Sequence, residues 1–221
     1  KAVEVRGLKV QVSRVPIPVS YGPAFEGERV RGEDIYVEMG GGRTIAVEWT
    51  TSKRMDEVED GRVEVIGPDV TDVPAGSRLH FAMVAEVAGR NFQEDFEPIL
   101  ERQNHHLINQ AQGIMHIGQR DIAWIRISKQ AVEKGFKLEH IGRIIHAKYH
   151  QDFGAIFDKV QIKIYTEDAK VQEILNEARA SYHQRDMRIE GMTDESVDTF
   201  YSCILCQSFA PDHVCVVSPE R

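Results

Sequence analysis

The stretch Arg78-Leu79-His80-Phe81-Ala82-Met83-Val84-Ala85-Glu86-Val87 decides how the chain is read. Its residues alternate, with Leu79, Phe81 and Met83 on one face, the period-two pattern of a strand. Downstream, Phe96, Ile99, Leu100, Leu107 and Ile108 recur near helical spacing between Glu94 and Gln110. Asp121 to Ile127 reads as a further strand. Leu138 to His150 carries Ile141, Ile144, Ile145 and Tyr149 at helical spacing, and Val160 to Tyr165 alternates again. This run of strand, helix, strand, helix, strand, with one short extra strand near Ile114–Ile117, predicts an α+β fold. Its core would be a two-layer α/β sandwich in ferredoxin-like order.

Upstream lies a strand-rich region over residues 1–67. Val3, Val5, Leu8, Val10, Val12 and Val15 are strand-like. The stretches 34–38 and 43–49 flank Gly40-Gly41-Gly42, which predicts a hairpin. Arg62 to Gly67 reads as another short strand, and Pro68 to Gly76 as a loop. Past the sandwich, Thr166-Glu167-Asp168 opens a long helix, with Thr166 as its N-cap and the two acids at the positive helix end. Val171, Ile174, Leu175 and Ala178 form its apolar stripe. The chain turns polar after Tyr182. Residues 1–178 are therefore expected to form a middle α+β domain, and residues 179–221 the start of a second α/β domain. Both ends are abrupt and Lys1 is not a Met, so the sequence reads as cut from a longer chain.

The chain has 221 residues, of which 42% are hydrophobic, enough to bury a core. Its formal net charge of −8 argues against a nucleic-acid partner. No apolar run approaches the roughly 20 residues of a membrane span, and Lys1 to Val10 lacks the apolar core of a signal peptide. The three cysteines all fall between positions 203 and 215. An odd number bunched in one segment is a poor disulfide framework and fits a metal site in a reducing cytoplasm. Their spacing, C-x2-C-x8-C, lets two thiolates converge on one centre while a third arrives from a short loop. Thiolates select zinc, Cu(I) or iron–sulfur clusters, and spacing alone leaves that choice open. For zinc, His213 could complete a four-ligand set with Cys203, Cys206 and Cys215.

The string from Phe200 to Arg221, with Cys203-Ile204-Leu205-Cys206-Gln207-Ser208-Phe209-Ala210-Pro211 and His213-Val214-Cys215, resembles the cluster-binding loop of CO-methylating acetyl-CoA synthases. The same resemblance extends to the archaeal acetyl-CoA decarbonylase/synthases. Gln112-Gly113-Ile114-Met115-His116 and Gly118-Gln119-Arg120-Asp121 are similar to that family's middle domain. The resemblance implies a cytoplasmic acyltransferase of the anaerobic Wood–Ljungdahl pathway of carbon fixation. It would join a corrinoid-borne methyl group, carbon monoxide and coenzyme A. The implied cofactors are a 4Fe–4S cluster and two nickel ions, and the implied partners a carbon monoxide dehydrogenase subunit and a corrinoid iron–sulfur protein. By resemblance Cys203, Cys206 and Cys215 bind the 4Fe–4S cubane, Cys206 also bridges to the proximal nickel, and Phe209 walls the pocket beside that nickel. A cubane needs four ligands. The fourth ligand and those of the distal nickel are expected beyond Arg221, so these 221 residues alone are expected to be inactive. The alternative is a non-catalytic assembly subunit with a structural zinc knuckle.

Two further clusters bear on function. On one strand, Arg120, Ile122, Trp124 and Arg126 would share a face. The resembled family's middle domain is associated with coenzyme A, which offers an adenine to stack and phosphates to pair. Arg120, Trp124 and Arg126 are therefore candidate coenzyme A contacts. His146 and His150 sit four apart on a helix, but Ala147 follows His146 where an H-E-x-x-H motif needs Glu. They are expected to be solvated or packed histidines.

Overall fold

The computed structural model describes residues 2–5, 8–11, 14–90 and 92–190. Cys203, Cys206, Phe209, His213 and Cys215 lie outside the described residues, as does most of the expected second domain, 179–221. Strands β1 (Ala2–Val5) and β2 (Leu8–Gln11) form a small antiparallel pair. The body of the fold follows: β3 (Ile35–Gly40), β4 (Ala46–Ser52), β5 (Val63–Ile66), β6 (Ser77–Leu79) and β7 (Phe81–Ala88). Then come α1 (Glu97–Asn109), β8 (Ile114–Ile117), β9 (Trp124–Ser128), α2 (Lys129–Glu133), α3 (Leu138–Phe153), β10 (Lys159–Tyr165) and α4 (Asp168–Glu190).

The α+β class is as expected, but the two-layer sandwich in ferredoxin-like order is not formed: the strands divide between two four-stranded mixed sheets, ordered β4-β7-β10-β5 and β6-β3-β9-β8, so β9 lies apart from β7 and β10. The stretch 78–87 is two strands, because the chain leaves one sheet and enters the other at His80. β6 runs parallel to β3, and β7 runs parallel to β4. The predicted hairpin at Gly40-Gly41-Gly42 is likewise a crossing. β3 and β4 flank the turn but lie in different sheets, where β9 and β7 give each a better partner. The two crossings are side by side and bonded to each other. Phe81 N–H donates to the Ile45 carbonyl at 2.9 Å, and Ile45 N–H donates to His80 Nδ1 at 3.1 Å.

The main core lies between the sheets. Val37, Met39, Ile125 and Ile127 from one sheet, and Phe81, Met83, Ile162 and Ile164 from the other, pack with Leu100 and Ile108 of α1 and Ile141, Ile144 and Tyr149 of α3. A second cluster covers the opposite face of β4 and β7: Val47, Ala82 and Val84 against Val171, Ile174, Leu175, Ala178 and Tyr182 of α4. β7 is therefore covered on both faces and buried along its whole length, which explains a run too apolar for a solvated strand. α4 begins at Asp168, and the Thr166 hydroxyl donates to the Pro68 carbonyl at 2.8 Å, so this residue ties the helix entrance to the loop after β5.

Candidate functional site

The outer face of the β6-β3-β9-β8 sheet carries a row of charge. Register places Arg78 opposite Glu38, and Glu38 opposite Arg126, across β6, β3 and β9. Opposite charges directly across neighbouring strands attract. Arg126 Nε donates to Glu38 Oε2 at 2.6 Å, and its Nη1 donates to the Val30 carbonyl at 3.1 Å. Arg43, from the glycine crossing, donates to Glu38 Oε1 at 3.1 Å, and Arg78 lies 3.5 Å from the same oxygen. Three guanidinium groups thus converge on one carboxylate. Burial works against the charged Glu38, yet the hydrogen bonds from Arg126 and Trp124 and the charges of Arg126 and Arg43 hold its carboxyl below the ordinary range.

Trp124 walls this cluster. Its indole Nε1 donates to Glu38 Oε2 at 3.3 Å, and the Arg126 guanidinium lies over the ring, 4.3 Å from its centroid. The turn beneath the ring is only possible for glycine. A Cβ on Gly41, where φ is +65°, would lie 2.6 Å from Trp124 Cδ1, and one on Gly40 would lie 2.0 Å from the Ala123 carbonyl oxygen. Alongside runs a cleft of about 270 Å³ lined by Gly32, Glu33, Ile35, Glu38, Arg43, Ala75, Gly76, Arg78 and Lys129. Arg43 and Arg78 are roughly half exposed, at 56% and 53%, whereas Arg126 is 16% exposed. The first two have donors left for an anion. Arg126 is committed to its protein partners.

Arg120 stands elsewhere. The expected strand 121–127 begins only at Trp124, and Arg120–Ile122 form a 3-10 turn. The cause is local: Gly118 takes φ +90° and Arg120 φ +54°, which carry the chain out of extended geometry. Arg120 and Ile122 therefore do not share a strand face with Trp124 and Arg126. Arg120 instead donates to both carboxylate oxygens of Asp186 on α4, at 3.1 and 3.0 Å, with its guanidinium 5.0 Å from the Tyr182 ring centroid. It borders a second cavity of about 400 Å³ with Pro98, Glu101, Arg102 and Asp186.

Beneath that cavity α4 is fastened by a buried ionic network. Arg185 donates to Glu97 at 2.8 Å, to Glu101 at 3.3 Å and to the Thr50 carbonyl at 2.5 Å. The same carboxylates accept the β4 amides of Ser52 and Thr50 at 2.6 and 2.9 Å. Burial pushes the Glu101 carboxyl up to about 7 against the pull of Arg185. Tyr182 donates to the Glu48 carbonyl at 2.5 Å. The helix that leads toward the cysteine segment is thus locked to the sheet at its far end.

Of the three candidate coenzyme A contacts, Trp124 and Arg126 meet at Glu38, and Glu38, Arg43, Arg78 and Lys129, which the sequence did not single out, join or border that cluster. The signal was faint: Arg78 and Glu38 sit on alternating strands, but only strand register puts them in one row.

These features define an α+β module with an arginine-rich cleft on one sheet and a long helix, α4, anchored on the other. The chain belongs to the family described as the CO dehydrogenase/acetyl-CoA synthase complex beta subunit, which it matches over residues 17–171, and residues 182–221 match the family of the C-terminal part of the ACS/CODH beta subunit. It is 51% identical over 220 residues to the carbon monoxide dehydrogenase/acetyl-CoA synthase subunit alpha of Moorella thermoacetica, covering 100% of this chain and 30% of that protein. It is 44% identical over 209 residues to the acetyl-CoA decarbonylase/synthase complex subunit beta of Methanopyrus kandleri, covering 95% of this chain and 45% of the relative. A beta 1 subunit of the same complex from Methanocaldococcus jannaschii is 44% identical over 220 residues, covering 100% of this chain and 29% of the relative. The chain thus spans less than half the length of each of these relatives. Among the described residues no helix is long and apolar enough to cross a membrane.

Proposed function

We propose that this chain is the coenzyme A-holding and thiolate-bearing part of a cytoplasmic, anaerobic acetyl-CoA synthase. The whole enzyme would join a corrinoid-borne methyl group, carbon monoxide and coenzyme A, working beside a carbon monoxide dehydrogenase subunit and a corrinoid iron–sulfur protein. The observation that carries this reading is the cleft. Arg43, Arg78 and Lys129 set three cationic groups against Glu33 and Glu38. Phosphates pair with guanidinium forks. The division of labour follows from exposure. Arg43 and Arg78 reach the phosphates, while Arg126 holds Trp124 and Glu38 in place.

The cofactor requirement fits the donor set. Cys203, Cys206 and Cys215 supply three soft thiolates within 13 positions, suited to an iron–sulfur cubane with Cys206 shared to a nickel. Phe209, three positions after Cys206, would wall the carbon-binding pocket, and the fourth cubane ligand and the distal nickel ligands would come from other residues of the longer protein. Bound there, the cluster and two nickel ions would supply the carbon–carbon bond-forming chemistry. The protein's own task would be to bind coenzyme A, orient its thiol and exclude water.

The test is coenzyme A affinity in the full-length enzyme. Arg43→Ala with Arg78→Ala is expected to weaken binding by roughly tenfold per lost charged contact, and Arg120→Ala to leave it unchanged. Unaltered affinity in the Arg43/Arg78 variant would remove the cleft from the reading. One zinc and no iron after anaerobic reconstitution would instead favour the structural knuckle of Cys203, Cys206, Cys215 and His213.

A further inference from the structure

The fold brings Asp60 to the two histidines that the sequence left without a carboxylate. His146 and His150 lie one helical turn apart on α3, and both turn Nε2 toward Asp60 Oδ1, at 3.2 and 2.8 Å. All three ligand atoms lie within 4.8 Å of one another. We propose that Asp60, His146 and His150 form a second metal site, using none of the cysteines as ligands, that takes one borderline divalent ion of the zinc class and leaves a coordination position open to solvent.

The donor chemistry is specific. Two imidazoles and one carboxylate match the three-ligand sets of open zinc sites, whereas hard cations such as magnesium prefer oxygen alone. The spacing is close to what a metal needs. Ligand atoms on a tetrahedron with bonds of about 2.0–2.1 Å are separated by roughly 3.3 Å, so the two observed separations require shifts of only a few tenths of an ångström. All three side chains are partly exposed, so an ion can enter and a fourth ligand can reach it.

The bearers of these ligands are rigid. Asp60 Oδ1 also accepts the Val160 amide at 3.0 Å, and Gly61 N–H donates to the Val160 carbonyl at 3.0 Å, so the loop is pinned to the start of β10. α3 sits hard on β5, since a Cβ on Gly142 would lie 2.5 Å from Val63 Cγ1. The His150 ring rests edge-on against Phe157, 5.2 Å between centroids, and against His146 at 4.7 Å. A site on fixed elements loses little freedom when the ion arrives. Binding would replace the imidazole protons that now point at Asp60, because a metal takes the Nε2 lone pair. The ion would clip α3 to the loop preceding β5.

The test is a zinc titration of the full-length protein against a competing chromogenic chelator. Wild type is compared with His146→Gln/His150→Gln, the cysteines being intact in both so that cysteine-bound zinc cancels. Wild type is expected to take up one more equivalent, which excess magnesium does not displace. Asp60→Asn keeps an oxygen for the Val160 amide but loses the charge, and should weaken that equivalent by at least about tenfold. Equal zinc uptake in wild type and the double variant would overturn the proposal. Should the double variant fail to fold, crystals of the wild type soaked in zinc decide: an anomalous peak among the three residues supports the site, and no peak there overturns it.

Discussion

Glu38 organises its surroundings out of proportion to its size. It is one carboxylate, 5% exposed, yet it receives Arg126, Arg43 and the Trp124 indole and lies beside Arg78. Three arginines close together would repel one another without it. Because its folded-state carboxyl lies below the ordinary 4.5, the folded protein holds the ionised form more tightly than the unfolded chain does. The resulting stabilisation is fully present above pH 4.5 and is lost as the pH falls through the lower folded-state value. Glu38→Gln should therefore be less stable than wild type at about pH 7, and the gap should narrow as the pH is taken below 4.5. Denaturant midpoints measured across that range test the point, and a constant gap would contradict it.

At the scale of elements, the crossings carry the most information. Gly40 is held at φ +76° with the Ala123 carbonyl where its Cβ would stand. Gly40→Ala should cost about 2 kcal/mol or more, combining left-handed strain with backbone collision, and urea unfolding would measure it. The same elements show what the sequence discloses. Period and composition gave the approximate places of β7, α1, β8, α3, β10 and α4, because each is long or flanked by turn residues and its pattern is local. The break at His80 was invisible, since Leu79, Phe81 and Met83 keep the alternation on both sides of it. Arg78, Glu38 and Arg126 became one row only through pairings that span up to 88 positions, and Asp60 joined His146 and His150 by the same kind of distant contact. Trp124 and Arg126 were legible because they are close in sequence. Arg120 was misplaced because the 3-10 turn depends on a positive φ at a residue that is not glycine.

For the whole molecule, the question is how α4 is held, since it leads from the core toward the cysteines. Arg185 is buried between Glu97 and Glu101 of α1 and the Thr50 carbonyl of β4. Arg185→Met would leave buried Glu97 without its cation and buried Glu101 with only Arg120, 3.9 Å away. It should destabilise the fold by roughly 3–5 kcal/mol. It should also loosen the end of α4 before the rest unfolds, which amide exchange along 180–190 would report. Equal protection in both proteins would mean that the apolar stripe of Val171, Ile174, Leu175 and Ala178 holds the helix by itself.

The paired crossings at 40–46 and 79–81 have a mechanical corollary. Two neighbouring segments pass from one sheet to the other in the same direction and are bonded to each other as they pass. A force that drew the sheets apart would be shared by two covalent tethers with a common seam, so neither sheet can peel away while the other keeps its register. The cleft over β3 and β6 and the helix anchored on β4 and β7 therefore sit on sheets joined by the same pair of tethers.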